Sequence, residues 1–214
     1  MAGCCDPRGC DRVFGPRFAR GRAARYRKRG LDRTARRIVA MLEEGGGVRG
    51  ATVLEIGGGV GEIQLELLRR GAASVINLEL SPGYEADAVA LTAEAGMAGR
   101  VDRRLVDIAT DSAGIPSADI VVLHRVVCCY PDVVKLLGAA ADHTRRQLVF
   151  SHPPRNLVSR ALLGTQNVFL RVAGGGFRAF AHPPAEMLAV LAERGLQLRA
   201  AHRGRVWQVA AVSR

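Results

Sequence analysis

The spacing of apolar positions changes character near residue 50. Before it, Phe18, Tyr26, Leu31, Ile38, Val39 and Leu42 recur at helical rather than alternating intervals. This predicts one or two helices over residues 17–44, broken at Gly30 and stopped by Gly45-Gly46-Gly47. After it, short β-type runs alternate with helical ones. Strands are expected over 52–56, 74–80, 101–106, 119–124 and 147–151. The fourth carries four apolar residues in succession, as a parallel strand buried on both faces does. Helices are expected over 60–70, from Ser81-Pro82 to about Met97, from Pro131 onward, and from Pro183-Pro184 to Gly195. Leu196, Leu198 and Ala200 alternate, as do Trp207, Val209 and Ala211, so a hairpin turning near Arg203-Gly204 closes the chain. Residues 153–182 follow no period and read as an irregular insertion. The whole predicts an α/β fold: a Rossmann-like open seven-stranded sheet, mostly parallel, with a C-terminal antiparallel hairpin and helices on both faces.

The 214 residues are 48% apolar, which suits one domain with an appendage and excludes wholesale disorder. Apolar runs fall short of the roughly 18 residues that cross a bilayer, so no membrane span is expected. Met1 to Cys10 lacks the apolar stretch of a signal peptide, which makes a cytoplasmic location the expectation. The net charge of +11 is uneven: residues 1–37 hold twelve Arg or Lys against three acids, a net +9, leaving +2 for the remainder. Such an arm either stays solvated or attracts an anionic partner such as nucleic acid, a membrane surface or an acidic substrate.

The strongest chemical signal is Val53-Leu54-Glu55-Ile56-Gly57-Gly58-Gly59-Val60-Gly61, a strand running through glycines into a helix. Glycines there accept positive φ and admit a ligand close to the backbone. The helix N-terminus offers free N–H groups to an anion. The pattern acid-x-G-x-G-x-G resembles motif I of the class I S-adenosylmethionine-dependent methyltransferases more than the G-x-G-x-x-G of dinucleotide sites. The resemblance continues through Val75 to Pro82, whose Glu79 lies 18 residues after Gly61, and through Leu105-Val106-Asp107-Ile108. It spans about residues 50–212.

This resemblance implies S-adenosylmethionine as cofactor, held by Glu55, Gly57, Gly58, Gly59 and Gly61. Glu79, followed by Leu80 and Ser81, would take the ribose hydroxyls. Asp107 and Ile108 would meet the adenine, and His124 and Arg125 would line the pocket after the fourth strand. Gly58 departs from the family, where Cys, Ala or Ser is frequent, and is no obstacle to close approach. The segment Arg25 to Asp32 resembles one that precedes the core in methyltransferases of Mg-protoporphyrin and quinone-type acceptors. There an N-terminal helix covers the cofactor, which brings Tyr26 to its methionine part. Residues 1–45 thus read as a basic arm with cap helices, 46–214 as the methyltransferase domain, and 153–182 as an acceptor lid.

On the acceptor side, His124 and His152 are the candidate general bases, with Tyr130 in the loop between them. Methyl transfer needs a base only where the acceptor must lose a proton. His124-Arg125-Val126-Val127 stands where base- and amide-methylating relatives carry Asn or Asp followed by Pro-Pro and an aromatic. That favours a small-molecule acceptor. An RNA methyltransferase, or a non-enzymatic nucleic-acid-binding module using the arm, is the alternative. Cys4, Cys5 and Cys10 fit metal-ligand spacing poorly, so no metal is expected, and Cys128 and Cys129 read as small buried residues.

Overall fold

The computed structural model describes residues 9–172 and 176–214. A short helix, α1 (Cys10–Val13), leads into α2 (Pro16–Arg29) and α3 (Arg33–Glu44). Gly30 separates the latter two at φ 64°, and the Asp32 carboxylate caps α3 by accepting from Ala35 N–H at 2.9 Å. The alternating part follows as β1 (Thr52–Ile56), α4 (Glu62–Arg69), β2 (Ser74–Glu79), α5 (Glu85–Glu94), β3 (Val101–Leu105), β4 (Ala118–Leu123), α6 (Val133–Asp142) and β5 (Thr144–His152). Next come α7 (Leu157–Val172), α8 (Pro184–Ala192), β6 (Gln197–Arg203) and β7 (Gln208–Ser213).

The seven strands form one sheet in the order β3-β2-β1-β4-β5-β7-β6. All pairs are parallel except β5–β7 and β6–β7. The expected architecture is therefore present. Alternate residues serve opposite faces, as the pleat requires. Val53, Ile120 and Val122 face a core shared with α2, α3 and α4, while Leu54, Ile56, Val121 and Leu123 face one shared with α6 and α8. Chain order reverses between β1 and β4, and the carboxyl ends of those two strands open a crevice where ligands of such sheets bind.

Local expectations needed correction. Pro131 does not open α6; it precedes Asp132, whose carboxylate accepts from Lys135 N–H at 3.0 Å and makes the cap. The stretch 153–182 is not irregular throughout, because α7 occupies its first half, started by Asn156 accepting from Ser159 N–H at 2.8 Å. Helical periodicity was hidden there because apolar residues lie on the outer side of α7 as well as toward the protein. The final hairpin turns over residues 204–207 rather than at 203–204.

Candidate functional site

β1 delivers the chain into the glycine turn at the strand-order reversal. Gly57, Gly59 and Gly61 have φ of 65°, 56° and 80°, in the left-handed region that other residues avoid. Space is as decisive as torsion. A Cβ on Gly57 would lie 2.5 Å from Val126 Cγ2, so the loop after β4 presses directly on the turn. A Cβ on Gly58 would lie 2.1 Å from Asn77 Nδ2, so a larger residue there must displace the Asn77 side chain. Asn77 is buried, donates to Gln64 Oε1 at 2.7 Å and lies 3.3 Å from Glu55 Oε2.

The cleft above the turn is lined by Gly57, Gly58 and Gly59, by Glu79 and Leu80 from the end of β2, and by Asp107 and Ile108 beyond β3. Glu79 Oε2 accepts from Gly59 N–H at 2.8 Å, and Oε1 accepts from Leu80 N–H at 2.8 Å and Ser81 N–H at 3.2 Å. A carboxylate offers about four lone-pair sites, so capacity for a ligand hydroxyl remains. Burial raises its pKa, against those three N–H bonds. The Asp107 carboxylate accepts from the Tyr130 hydroxyl at 3.0 Å and from Ala109 N–H at 3.1 Å. Leu80, Val106, Ile108 and Val126 give the same end of the cleft apolar walls, suited to a flat ring.

The other end is ionic. Arg22 of α2 pairs with Glu62 in the first turn of α4 and approaches Asp32 at 4.0 Å. Arg125 donates to Asp32 Oδ2 at 2.7 Å, and its guanidinium lies 5.0 Å from the Trp207 ring centre. Arg125 holds a positive φ of 62°, secured by its N–H donating to Ser151 Oγ at 2.8 Å. Such a torsion in a non-glycine residue is held only where the surroundings fix it, commonly at a functional site. Beside this network lies His124. Burial, then the neighbouring Arg125, pushes its pKa down to about 3. Its Nε2 is buried without a protein partner in the cleft wall, an orphan that a ligand group would satisfy. Glu55, wholly buried beneath the turn, is pushed up to about 8 by desolvation and by the nearby Glu62.

Sequence reasoning expected the arm and residues 153–182 to cover the cleft but missed the aromatic residues that meet there. Phe14 meets Phe177 edge-on at 5.3 Å and Phe18 edge-on at 5.6 Å, and stacks on Tyr84 at 6.4 Å, so the N-terminal arm and the 176–182 segment come together at one side of the cleft. Phe14, Phe18, Arg22 and Tyr84 line the cleft, and Tyr130 and Cys129 complete its far wall. The signal available was the pair Phe18 and Arg22, i and i+4 on one face of α2; Phe14 precedes that helix and carried no such signal.

Four expected site residues fall outside the cleft lining. Tyr26 lies two turns beyond Phe18 and faces α4, where its hydroxyl accepts from Arg69 at 2.6 Å. Gly61 is the left-handed cap of α4. The Ser81 hydroxyl donates to Phe14 C=O at 3.2 Å and so positions that residue. His152 is buried two strands from the reversal point, with Nδ1 3.0 Å from Pro153 C=O and its ring against Phe150 at 5.7 Å. It faces a separate groove with Leu198 and His202, which removes it as a base for chemistry in the cleft. Among the described residues no cluster of three or more metal-ligating side chains occurs, and Cys4 and Cys5 lie outside those residues. Cys128 and Cys129 place their sulfurs 3.5 Å apart.

No family model matches the chain. No curated protein matches it either. Solved structures do. The magnesium protoporphyrin IX methyltransferase of Synechocystis PCC 6803 with bound SAH is 21% identical, with a TM-score of 0.69 over 85% of this chain and 82% of that one. An O-methyltransferase family protein from Burkholderia thailandensis is 21% identical, with a TM-score of 0.67 over 85% of this chain. An O-methyltransferase family 2 protein from Planctomyces limnophilus DSM 3776, in complex with apigenin, is 17% identical, with a TM-score of 0.69 over 92% of this chain. The chain spans 56% and 61% of those last two. The fold is thus that of the S-adenosylmethionine-dependent methyltransferases.

Proposed function

We propose that the protein is a class I S-adenosylmethionine-dependent methyltransferase whose acceptor is a small molecule. One observation carries this reading: the glycine turn, Glu79 and Asp107 converge on a single cleft at the β1–β4 reversal, in the fold of enzymes crystallised with SAH. When bound, the cofactor supplies a sulfonium methyl group for in-line displacement by the acceptor. Glu79 would hold the ribose and Asp107 the adenine edge, while Gly57 and Gly59 let the ligand lie against the backbone. Phe14 and Phe18 would shield the bound cofactor on one side, and positioning in a dry site supplies much of the rate of such a transfer.

His124 is the remaining histidine of the cleft. An imidazole whose pKa lies near 3 stays neutral at physiological pH and is a weak proton acceptor. We therefore assign it hydrogen bonding to ligand or acceptor rather than general-base work. A small-molecule acceptor accords with the neighbours, one an enzyme named for protoporphyrin and another holding apigenin. The nucleic-acid alternatives draw no such support. Part of the arm's charge is already spent internally, Arg22 on Glu62 and Arg27 on Glu94. Among the described residues no helix is long and apolar enough to cross a membrane, and a cytoplasmic setting suits the reduced cysteine pair.

The test is transfer of label from methyl-tritiated S-adenosylmethionine into fractionated cell extract. Label is expected in the organic-extractable small-molecule fraction. Label confined to RNA would replace this reading with the RNA enzyme.

A further inference from the structure

Helix α7 carries an apolar face on its outer side. A surface helix ordinarily turns its apolar stripe inward. Here Leu157, Val158, Leu162, Val168, Phe169 and Val172 are between 63% and 82% exposed. At about 100° per residue they fall within roughly 140° of the helix circumference, one continuous face. The opposite side, with half-buried Leu163 and Leu170, is the one fastened down: Asn167 donates to Ala179 C=O and accepts from Ala179 N–H, both at 2.8 Å. The apolar face is therefore held outward by a built contact. Its central polar group, the Thr165 hydroxyl, donates to Ala161 C=O at 3.0 Å within the helix, so this group has its hydrogen bond without a partner molecule.

We propose that this face docks the protein on an anionic lipid bilayer, with α7 lying in the plane of the interface. Charge selects that occupant. Residues 153–182 contain four arginines and no Asp or Glu, and the first 37 residues add a net +9. A second copy would set these like charges against each other, whereas anionic headgroups attract them. Acyl chains need no polar contact, and the face offers little. An apolar helical face flanked by arginine is the arrangement that seats a helix at the headgroup boundary. Sixteen residues, about 24 Å of helix, lie along a surface and do not cross one. The docking is independent of the methyl-transfer reading.

The test is co-sedimentation of the full chain with vesicles of phosphatidylcholine alone and of equimolar phosphatidylcholine and phosphatidylglycerol. The protein is expected to pellet with the anionic vesicles, less so in high salt, and to stay in the supernatant with phosphatidylcholine. The double variant Leu162→Glu/Phe169→Glu alters exposed positions, keeps its melting temperature, and is expected to bind at least about tenfold more weakly. Phe169→Leu should bind as the parent does. Absence of pelleting would overturn the proposal. So would equal binding by the double variant, which would leave the basic arm as the whole attraction. A dimer that the double variant dissolves, without vesicle binding, would assign the face to a second copy instead.

Discussion

Asp32 and Arg125, 93 residues apart in the chain, meet in a 2.7 Å hydrogen-bonded ion pair at the edge of the cofactor cleft. The same Asp32 carboxylate caps α3 through Ala35 N–H. Burial pushes its pKa up, but that cap and the charges of Arg125 and Arg22 prevail and hold it below the usual carboxylate value. The arm is thereby joined to the end of β4, and α2 stays over the site. Replacing Asp32 by Ala removes a cap, about 1 kcal/mol, and leaves a half-buried arginine without its partner. Chemical denaturation should show a loss of about 2–4 kcal/mol, with weaker cofactor binding. Unchanged stability would mean the arm is held by other contacts.

Glu79 holds the turn by accepting from Gly59 N–H, and we propose that it also receives the ribose. Glu79→Ala should weaken S-adenosylhomocysteine by about 1.5–3 kcal/mol, the scale of hydrogen bonds to a charged group. Titration calorimetry measures this directly. Equal affinity in parent and variant would place the ribose elsewhere.

Gly58→Ala should destabilise the protein by about 1–3 kcal/mol, the range for overpacking a filled site. The cause is specific, since the new methyl meets Asn77 Nδ2. Shortening Asn77 to Ala in the same chain should recover part of the loss. A double variant no better than the sum of the singles would refute the clash.

The motif and its acid were legible in sequence because they rest on local demands: positive φ at Gly57 and Gly59, and a carboxylate at the end of the next strand, Glu79. The aromatic contacts were not. Phe14 and Phe177 come together only through the tertiary fold, and nothing in their neighbourhoods marks them as partners. Tyr26 was misplaced for a related reason: helical phase placed it beside Arg69 instead of the cleft. The position of His152 depends on β7 inserting antiparallel beside β5, which sets it away from the reversal point. Helix α7 escaped detection because its outer face breaks the rule that apolar residues point inward.

Glu55 makes stability depend on pH. Its folded pKa, about 8, lies above the ordinary value of 4.5. Between those values the folded protein keeps a proton that the unfolded chain has released, so stability declines as pH rises. The contribution is fully present below about pH 4.5 and lost through pH 8. Glu55→Gln carries no such proton. Melting curves from pH 5 to 8 should show the parent losing up to a few kcal/mol relative to this variant. Parallel curves would contradict a neutral, buried Glu55.

The central claim is that the cleft at the β1–β4 reversal binds S-adenosylmethionine, and its most direct test is calorimetric titration of the intact protein with S-adenosylhomocysteine and, separately, with NAD. The structure predicts one site per chain for S-adenosylhomocysteine and no measurable heat with NAD. Saturable binding of NAD with none of S-adenosylhomocysteine would contradict it.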